Sequence, residues 1–391
     1  MDPRVKFLRP SRMPSSERRV LAVFDGGNAP GYSSVAVAIT EQGIRHGYEV
    51  WAATQGLRSL TSDNVSELPF ERLIVDRKER YRLLAKGIPA RSMGRRVQDP
   101  GSDFRSERYR RFHDVARRVE AVESFRRQGF THLICVGGNG TLDATKAWMT
   151  DFGDNKPTAG FINVSVDNDV ASDRAIGFFS GIETGARVAR GLYEDAFTHK
   201  RVYLLEMMGN KSGRHALHCG VAARAHLIVL PFFHFPEPVL AEIARALSHT
   251  DMALVVVAEG YEREARAAMA NPPSASAYFM QQLAAHGLTD APEKRVIAEP
   301  FSRYLRGVRP GFADVSAAYL KTSLLFQAFE RGDTEVMPYI LGAQDVGVRP
   351  FDAITRDDRV ERSFLPLLDR FELPQLHAWI DANFTTSDRV V

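Results

Sequence analysis

The sequence predicts an α/β protein made of two doubly wound, Rossmann-like domains, and three observations lead there. Short apolar runs at 20–24, 133–136 and 160–164 each stop at a glycine-bearing or acidic turn. Helical patterns follow the first two turns, giving the strand, turn, helix rhythm of a parallel sheet. With 391 residues the chain has room for two such units, and apolar runs at 202–206, 226–230 and 253–258 repeat the design in its second half.

Taken in order, residues 1–17 are polar and basic, with Pro3, Pro10 and Pro14, and read as a mobile tail, or alternatively as a tag or partner-binding arm. The strand 20–24 runs into Asp25-Gly26-Gly27-Asn28-Ala29-Pro30-Gly31. A helix then starts at Ser33 or Ser34 and ends near Gly43 or His46, before a strand at 49–53. Residues 77–118 are dense in arginine, including Arg91, Arg95, Arg96, Arg105, Arg108, Arg110 and Arg111; they suit a solvated helix face, or phosphate contact by one or two of them. Val115, Val119, Val122 and Phe125 have helical spacing, stopped by Gly129.

Residues 133–169 hold two strand-to-turn junctions in succession. The first is Leu133-Ile134-Cys135-Val136, then Gly137-Gly138-Asn139-Gly140-Thr141 and a helical 144–148; the second is 160–164 followed by Ser165-Val166-Asp167-Asn168-Asp169. Glycines at such a junction let backbone N–H groups turn toward an anion, and a helix N-terminus adds a favourable partial charge. Ala171-Ser172-Asp173 reads as a capped helix start, and the helix 179–193 crosses into the second domain. There the pattern predicts a strand 202–206, a helix 212–223, a strand 226–230 ending at Pro231-Phe232, and a strand 253–258. A helix and proline-bearing loop over 262–292 follow, then a helix at 313–331. One or two amphipathic helices at 363–384 would cover a domain edge or form a subunit contact.

Composition excludes several classes of function. A net charge of +3 gives little reason to expect a nucleic-acid partner. No apolar run reaches the roughly 18 residues of a membrane span, and no signal peptide is visible. Cys135 and Cys219 lie in apolar surroundings, as core thiols of a reducing compartment do, so the expected location is cytoplasmic.

Several motifs together resemble the 6-phosphofructokinase family: Gly26-Gly27-Asn28-Ala29-Pro30-Gly31, the GGNGT and SVDND turns, Glu206-Met207-Met208-Gly209 with Ser212-Gly213, 255–260 and Tyr304-Leu305-Arg306-Gly307. They run in the family's order from about 20 to 332. The resemblance implies two domains of the phosphofructokinase type with the active site in the cleft between them. It places the donor domain at 18–178 plus about 293–332, and the substrate domain at 179–292 plus about 333–391.

The resemblance also implies roles. Asp167 is the base that takes the acceptor hydroxyl's proton, Asp169 supports the metal or the transferring group, and Ser165 donates a hydrogen bond to the phosphoryl oxygens. Gly26, Gly27, Asn28, Gly31, Gly138, Asn139, Gly140 and Thr141 form the donor's phosphate site, joined by Arg95 and Arg96, with Asn139 and Asp169 at Mg2+. Asn168, Arg201, Met208, Gly209, Asn210, Phe232, Arg303 and Arg306 fall on the acceptor side. In the family the counterpart of Arg201 reaches across a subunit interface, so a homo-oligomer, dimer or tetramer, is expected. Gly140 and Val164 stand where pyrophosphate-using members carry aspartate and lysine, which favours ATP over pyrophosphate.

Five positions depart from the family pattern. Asn28 and Asn139 replace aspartates, and Phe232 stands where a glutamate holds sugar hydroxyls. Asn210 replaces an arginine, while Arg303 stands in for a histidine. The expected activity is phosphoryl transfer from MgATP to a sugar phosphate, or to a polyol or nucleoside phosphate, with altered acceptor choice. The alternatives are a pyrophosphate-dependent enzyme and a catalytically poor subunit that senses nucleotide or sugar phosphate.

Overall fold

The computed structural model describes residues 18–170, 173–342, 344–356, 360–384 and 389–390. The expected N-terminal tail and Ala171-Ser172 lie outside the described residues. In chain order the principal strands are β1 (Arg19–Phe24), β2 (Glu49–Leu57), β3 (Phe70–Ile74), β4 (Ala90–Ser92), β5 (His132–Gly137) and β6 (Thr158–Asn163). They continue as β7 (Val202–Met207), β8 (Leu227–Val229), β9 (Ala253–Ala258), β10 (Val296–Pro300), β11 (Val336–Ile340) and β12 (Val346–Pro350).

Contacts divide the chain into two compact units, one of residues up to 180 with 306–356 and one of 181–305 with 357 onward. The boundary falls in the first turn of the helix Phe178–His199, close to the expected crossing at 179.

The first unit holds an eight-stranded sheet in the order β12-β11-β6-β5-β1-β2-β3-β4. Its centre is parallel: β1 pairs with both β2 and β5, and β5 with β6. Side chains alternate across it. Leu133 and Cys135 of β5 join the core made by the helices Val115–Arg127 and Asn139–Asp151, in which Phe125 meets Trp148 edge-on at 6.1 Å. The helices Tyr32–Arg45 and Phe312–Arg331 cover the other face. Only part of the expected stripe on Val115–Arg127 is buried. Val115 and Val119 are 56% and 44% exposed, because the helix begins at Asp114, whose carboxylate caps it, and its first turns extend past the cover of its neighbour.

The second unit is built on a four-stranded, all-parallel sheet in the order β10-β7-β9-β8. Its strands read as continuous apolar runs because both faces are covered. The C-terminal region forms one 3-10 segment, Arg362–Leu367, and one helix, Pro374–Asn383. The helix covers this unit. Trp379 meets Phe233 and Phe235, and the Glu242 carboxylate accepts the Gln375 and Leu376 N–H groups at the helix start, both at 3.0 Å.

Two expected boundaries are corrected by strand pairing. Residues 293–305 belong to the second unit, because β10 pairs with β7 along its whole length. Residues 333–356 belong to the first, because β11 pairs with β6 and β12 folds back antiparallel on β11. The third correction is Asp173, which does not cap a helix; the next helix begins only at Phe178. Its carboxylate instead accepts from the Asn163 amide at 3.0 Å, from Lys321 at 2.6 Å and from the Ile340 N–H at 3.0 Å.

Candidate functional site

The strand order of the first unit's sheet reverses between β1 and β5: β2 lies on one side of β1, and β5 and β6 on the other. Loops diverge at such a point, leaving a crevice outside the carboxyl ends of the strands where anions and nucleotides bind. The expected phosphate turns leave β1 and β5 there. The helix Asn139–Asp151 begins directly after Gly138, so its unpaired N–H groups stand at the strand end. Gly137 is required by close approach, since a Cβ there would sit 2.4 Å from Thr141 Oγ1 and 2.6 Å from the Asp25 carbonyl.

The aspartate turn meets this glycine turn. A Cβ added at Gly138 would lie 3.4 Å from Ser165 Oγ. The segment that follows β6 is closed at its base, where the Ser165 N–H donates to the Ile176 carbonyl at 3.0 Å and the Ile176 N–H to the Asn163 carbonyl at 3.1 Å. Within it the Asp167 N–H donates to Ser165 Oγ at 3.1 Å. Asn168 adopts a left-handed φ of 51° and accepts the Ala175 N–H at 2.8 Å, so its side chain shapes the loop. Asp167 and Asp169 are both half-buried. Burial and the neighbouring Asp167 charge push the Asp169 carboxyl up from its ordinary value, while Asn139 and Arg356 pull it back.

The arginines at the first glycine turn are Arg306 and Arg108. A Cβ built on Gly27 would meet Arg306 Nη1 at 3.1 Å and Arg108 Nη2 at 3.5 Å, and Arg306 also donates to the Asn28 carbonyl at 3.2 Å. Beside Arg108 opens a pocket of about 400 Å3, lined also by Arg58, Tyr109, Arg110 and Arg111. The expected donor arginines are not brought there. Arg96 is held by Asp103 at 2.5 Å, and Arg95 is exposed. Nothing in the sequence sets Arg108 apart from its many arginine neighbours. Arg306, expected among the acceptor residues, belongs with the glycine turns of the first unit.

In the second unit, the remaining acceptor-side residues lie at or near the carboxyl ends of β7, β8 and β10, apart from Arg201. Met208 is buried beneath the turn after β7, and Gly209 there has a φ of 135°. Asn210 Oδ1 accepts from Arg263 at 2.8 Å. Phe232, half-buried, packs its ring on Phe233 and Phe384. Glu206 does structural work: its carboxylate accepts Ser302 Oγ at 2.7 Å and the Ala275 N–H at 2.5 Å, fixing the turn that carries exposed Arg303. Arg201 precedes β7 and pairs within its own chain, with Asp195 at 3.1 Å and the Tyr203 hydroxyl at 3.2 Å.

Among the described residues no group of three or more His, Cys, Asp or Glu side chains is arranged to hold a metal, and no helix is long and apolar enough to cross a membrane. The two adjacent carboxylates do suit Mg2+, which is commonly held by one or two carboxylates plus substrate phosphates. Burial and, second to it, the Asp167 charge raise the Asp169 carboxyl, and a divalent cation there would relieve both.

Comparison with known proteins bears on the family and the fold. The chain is 26% identical over 322 residues to the ATP-dependent 6-phosphofructokinase of Coxiella burnetii, covering 82% of this chain and 87% of that protein. It is 29% identical over 228 residues to the enzyme of the same name from Pectobacterium carotovorum, covering 58% of this chain and 64% of that one. Two solved structures share the fold. Pichia pastoris phosphofructokinase in the T-state has a TM-score of 0.70 at 19% identity, covering 86% of this chain and 35% of that one. The pyrophosphate-dependent phosphofructokinase of Marinobacter aquaeolei has a TM-score of 0.67 at 19% identity, covering 90% and 92%. The family model described as Phosphofructokinase matches residues 19–326, and the chain belongs to that family of phosphotransferases.

Proposed function

We propose that the protein transfers the γ-phosphoryl group of MgATP to a hydroxyl of a phosphorylated small molecule, a sugar phosphate or a related polyol or nucleoside phosphate. The observation that carries this reading is the contact of Ser165 with Gly138, which sets the Asp167–Asp169 turn beside a helix N-terminus and its glycine turn. Phosphoryl transfer asks for little covalent chemistry, only a held polyphosphate, compensated charge and a positioned acceptor oxygen. In this scheme the two glycine turns with Arg108 and Arg306 hold the donor's phosphates. Asp167 takes the acceptor hydroxyl's proton, and Ser165 donates to the transferring group. Asp169 with Asn139 would hold Mg2+, which supplies charge neutralisation at the phosphates.

ATP is favoured over pyrophosphate by two features. A Cβ at Gly140 would meet nothing within 4 Å, which leaves room for a nucleotide's α-phosphate. Val164 is buried in a bridge to Ile176 and supplies no cation. Acceptor choice is altered relative to fructose 6-phosphate because Phe232 offers a ring in place of a hydroxyl-holding carboxylate. A pocket built around hydroxyl contacts discriminates strongly when they are lost.

The test is incubation with Mg2+, ATP or pyrophosphate, and a panel of phosphorylated sugars, polyols and nucleosides. Acceptor-dependent ADP release supports the proposal; tight binding of donor and acceptor without turnover assigns the chain a sensing role instead. Arg108→Ala is expected to raise the donor KM about 10- to 100-fold, the equivalent of losing one charge-assisted contact to phosphate. Arg95→Ala should leave it within about twofold, since surface groups away from such contacts matter little. Steady-state kinetics with varied donor compares the two.

A further inference from the structure

Asp25 is the acidic side chain nearest the donor turns that no expected role uses. It is the first residue after β1, immediately before Gly26-Gly27, and only 5% exposed. Its Oδ2 accepts from Thr141 Oγ1 at a long 3.3 Å, so the carboxyl joins the turn after β1 to the helix start after β5. Its Oδ1 is buried and makes no hydrogen bond of ordinary geometry among the described residues. The room for that oxygen comes from Gly56 near the end of β2. A Cβ there would lie 2.9 Å from Oδ1, and the φ of 56° suits glycine. A buried carboxylate held by one long hydroxyl bond and a poorly aligned Leu57 amide is costly when ionised and much less so when protonated.

We propose that Asp25 couples occupancy of the two glycine turns to proton uptake: a polyphosphate seated on them draws a proton from solvent onto the Asp25 carboxyl, and departure of the polyphosphate releases it. No other bond forms or breaks. The proposal rests on the reading that these turns bind a polyphosphate donor.

The surroundings make the carboxyl sensitive to such an anion. Titratable groups face it from the neighbouring elements: Glu107, itself paired with Arg58 at 2.5 Å; Tyr32, whose hydroxyl donates to the Asp25 carbonyl at 2.8 Å; and the Cys135 thiol of β5; Arg108 and Arg306 stand further along the turn, over Gly27. Burial pushes the carboxyl up to about 7 and the Glu107 charge adds to the rise, against the Leu57 amide and the Thr141 hydroxyl. The two arginines lie where a donor's phosphates would engage them. The negative charge of a polyphosphate on the turn that Asp25 begins favours the neutral acid further.

Calorimetric titration of the full chain with MgATP at pH 7.5, in HEPES and in Tris buffer, reads the coupling. The wild type should take up a fraction of a proton per donor more than Asp25→Asn does. Its donor Kd should weaken with rising pH above 7, toward tenfold per pH unit, where the variant's stays flatter. Equal buffer dependence in the two proteins overturns the proposal. Thermal unfolding without donor gives an independent reading. An Asp whose folded value lies above its unfolded one contributes stability that is full below about pH 4 and lost as pH rises through about 7. The wild-type midpoint should therefore fall relative to that of Asp25→Asn across this window, and parallel curves count against Asp25 as the proton carrier. If neither MgATP nor magnesium pyrophosphate binds, the donor reading fails and the coupling falls with it, while the unfolding curves still report whether Asp25 titrates. Should Asp25→Asn not fold, Asp25→Ser serves in both measurements.

Discussion

Asp167→Asn is expected to lower kcat by about 10²- to 10⁴-fold, the usual range for loss of a positioned general base. The substitution keeps side-chain size, and the Asp167 hydrogen bond to Ser165 Oγ uses its backbone N–H, which the variant retains. The loop base at Ser165, Ile176 and Asn163 is likewise a backbone arrangement. Unfolding midpoint and donor Kd should therefore change little while turnover collapses. Steady-state kinetics on the best acceptor from the panel, with a melt of each protein, separates these quantities. A variant retaining more than about a tenth of wild-type kcat would remove Asp167 from the role of base.

The pH profile of the wild type carries the same assignment. The Asp169 carboxyl is raised by burial first and by the Asp167 charge second. Activity that needs both ionised should fall on acidification at a higher pH than an ordinary carboxylate pair would give. In Asp167→Asn the like charge is gone, and the residual activity's acid limb should move to lower pH.

Much of this site was legible because its parts are local. A strand, a glycine turn and a helix start within ten residues fix one another's geometry, so the GGNGT and SVDND turns could be placed at strand ends without coordinates. The boundaries at 293–305 and 333–356 were not legible, since pairing of β10 with β7 and of β11 with β6 joins segments far apart in sequence. Arg108 was hidden for a related reason. Many arginines share its stretch, and only the hydrogen bond from the Gly26 N–H to the Glu107 carbonyl brings that one to the turn. Asp25 read as a plain turn residue until burial showed what it faces. The helix stripe at Val115 and Val119 was misread because periodicity marks a face without telling how far along it a neighbour reaches.

Lys321→Met is expected to cost about 3–5 kcal/mol of stability, as breaking a buried ion pair from one side does. Lys321 and Asp173 have no exposed side-chain surface, and the ammonium donates to the Asp173 carboxylate at 2.6 Å and to the Arg174 carbonyl. Methionine fills nearly the same volume, so packing is kept while the carboxylate loses its cation. The double variant Asp173→Asn with Lys321→Met should recover part of the loss, because an amide needs no counter-charge; its oxygen can still accept the Ile340 N–H, and its NH2 can donate to the Asn163 side-chain oxygen once that amide turns over. Urea denaturation of the two singles and the double reads the coupling. A single variant costing under about 1 kcal/mol would show that the pair is relieved by water or rearrangement. The pair also bears on chemistry: Asp173 sits four residues beyond Asp169 in the loop, tying it through Lys321 to the helix Phe312–Arg331 and through Ile340 to β11. Loosening that anchor should lower kcat in the protein that remains folded, and more in Lys321→Met than in the double variant.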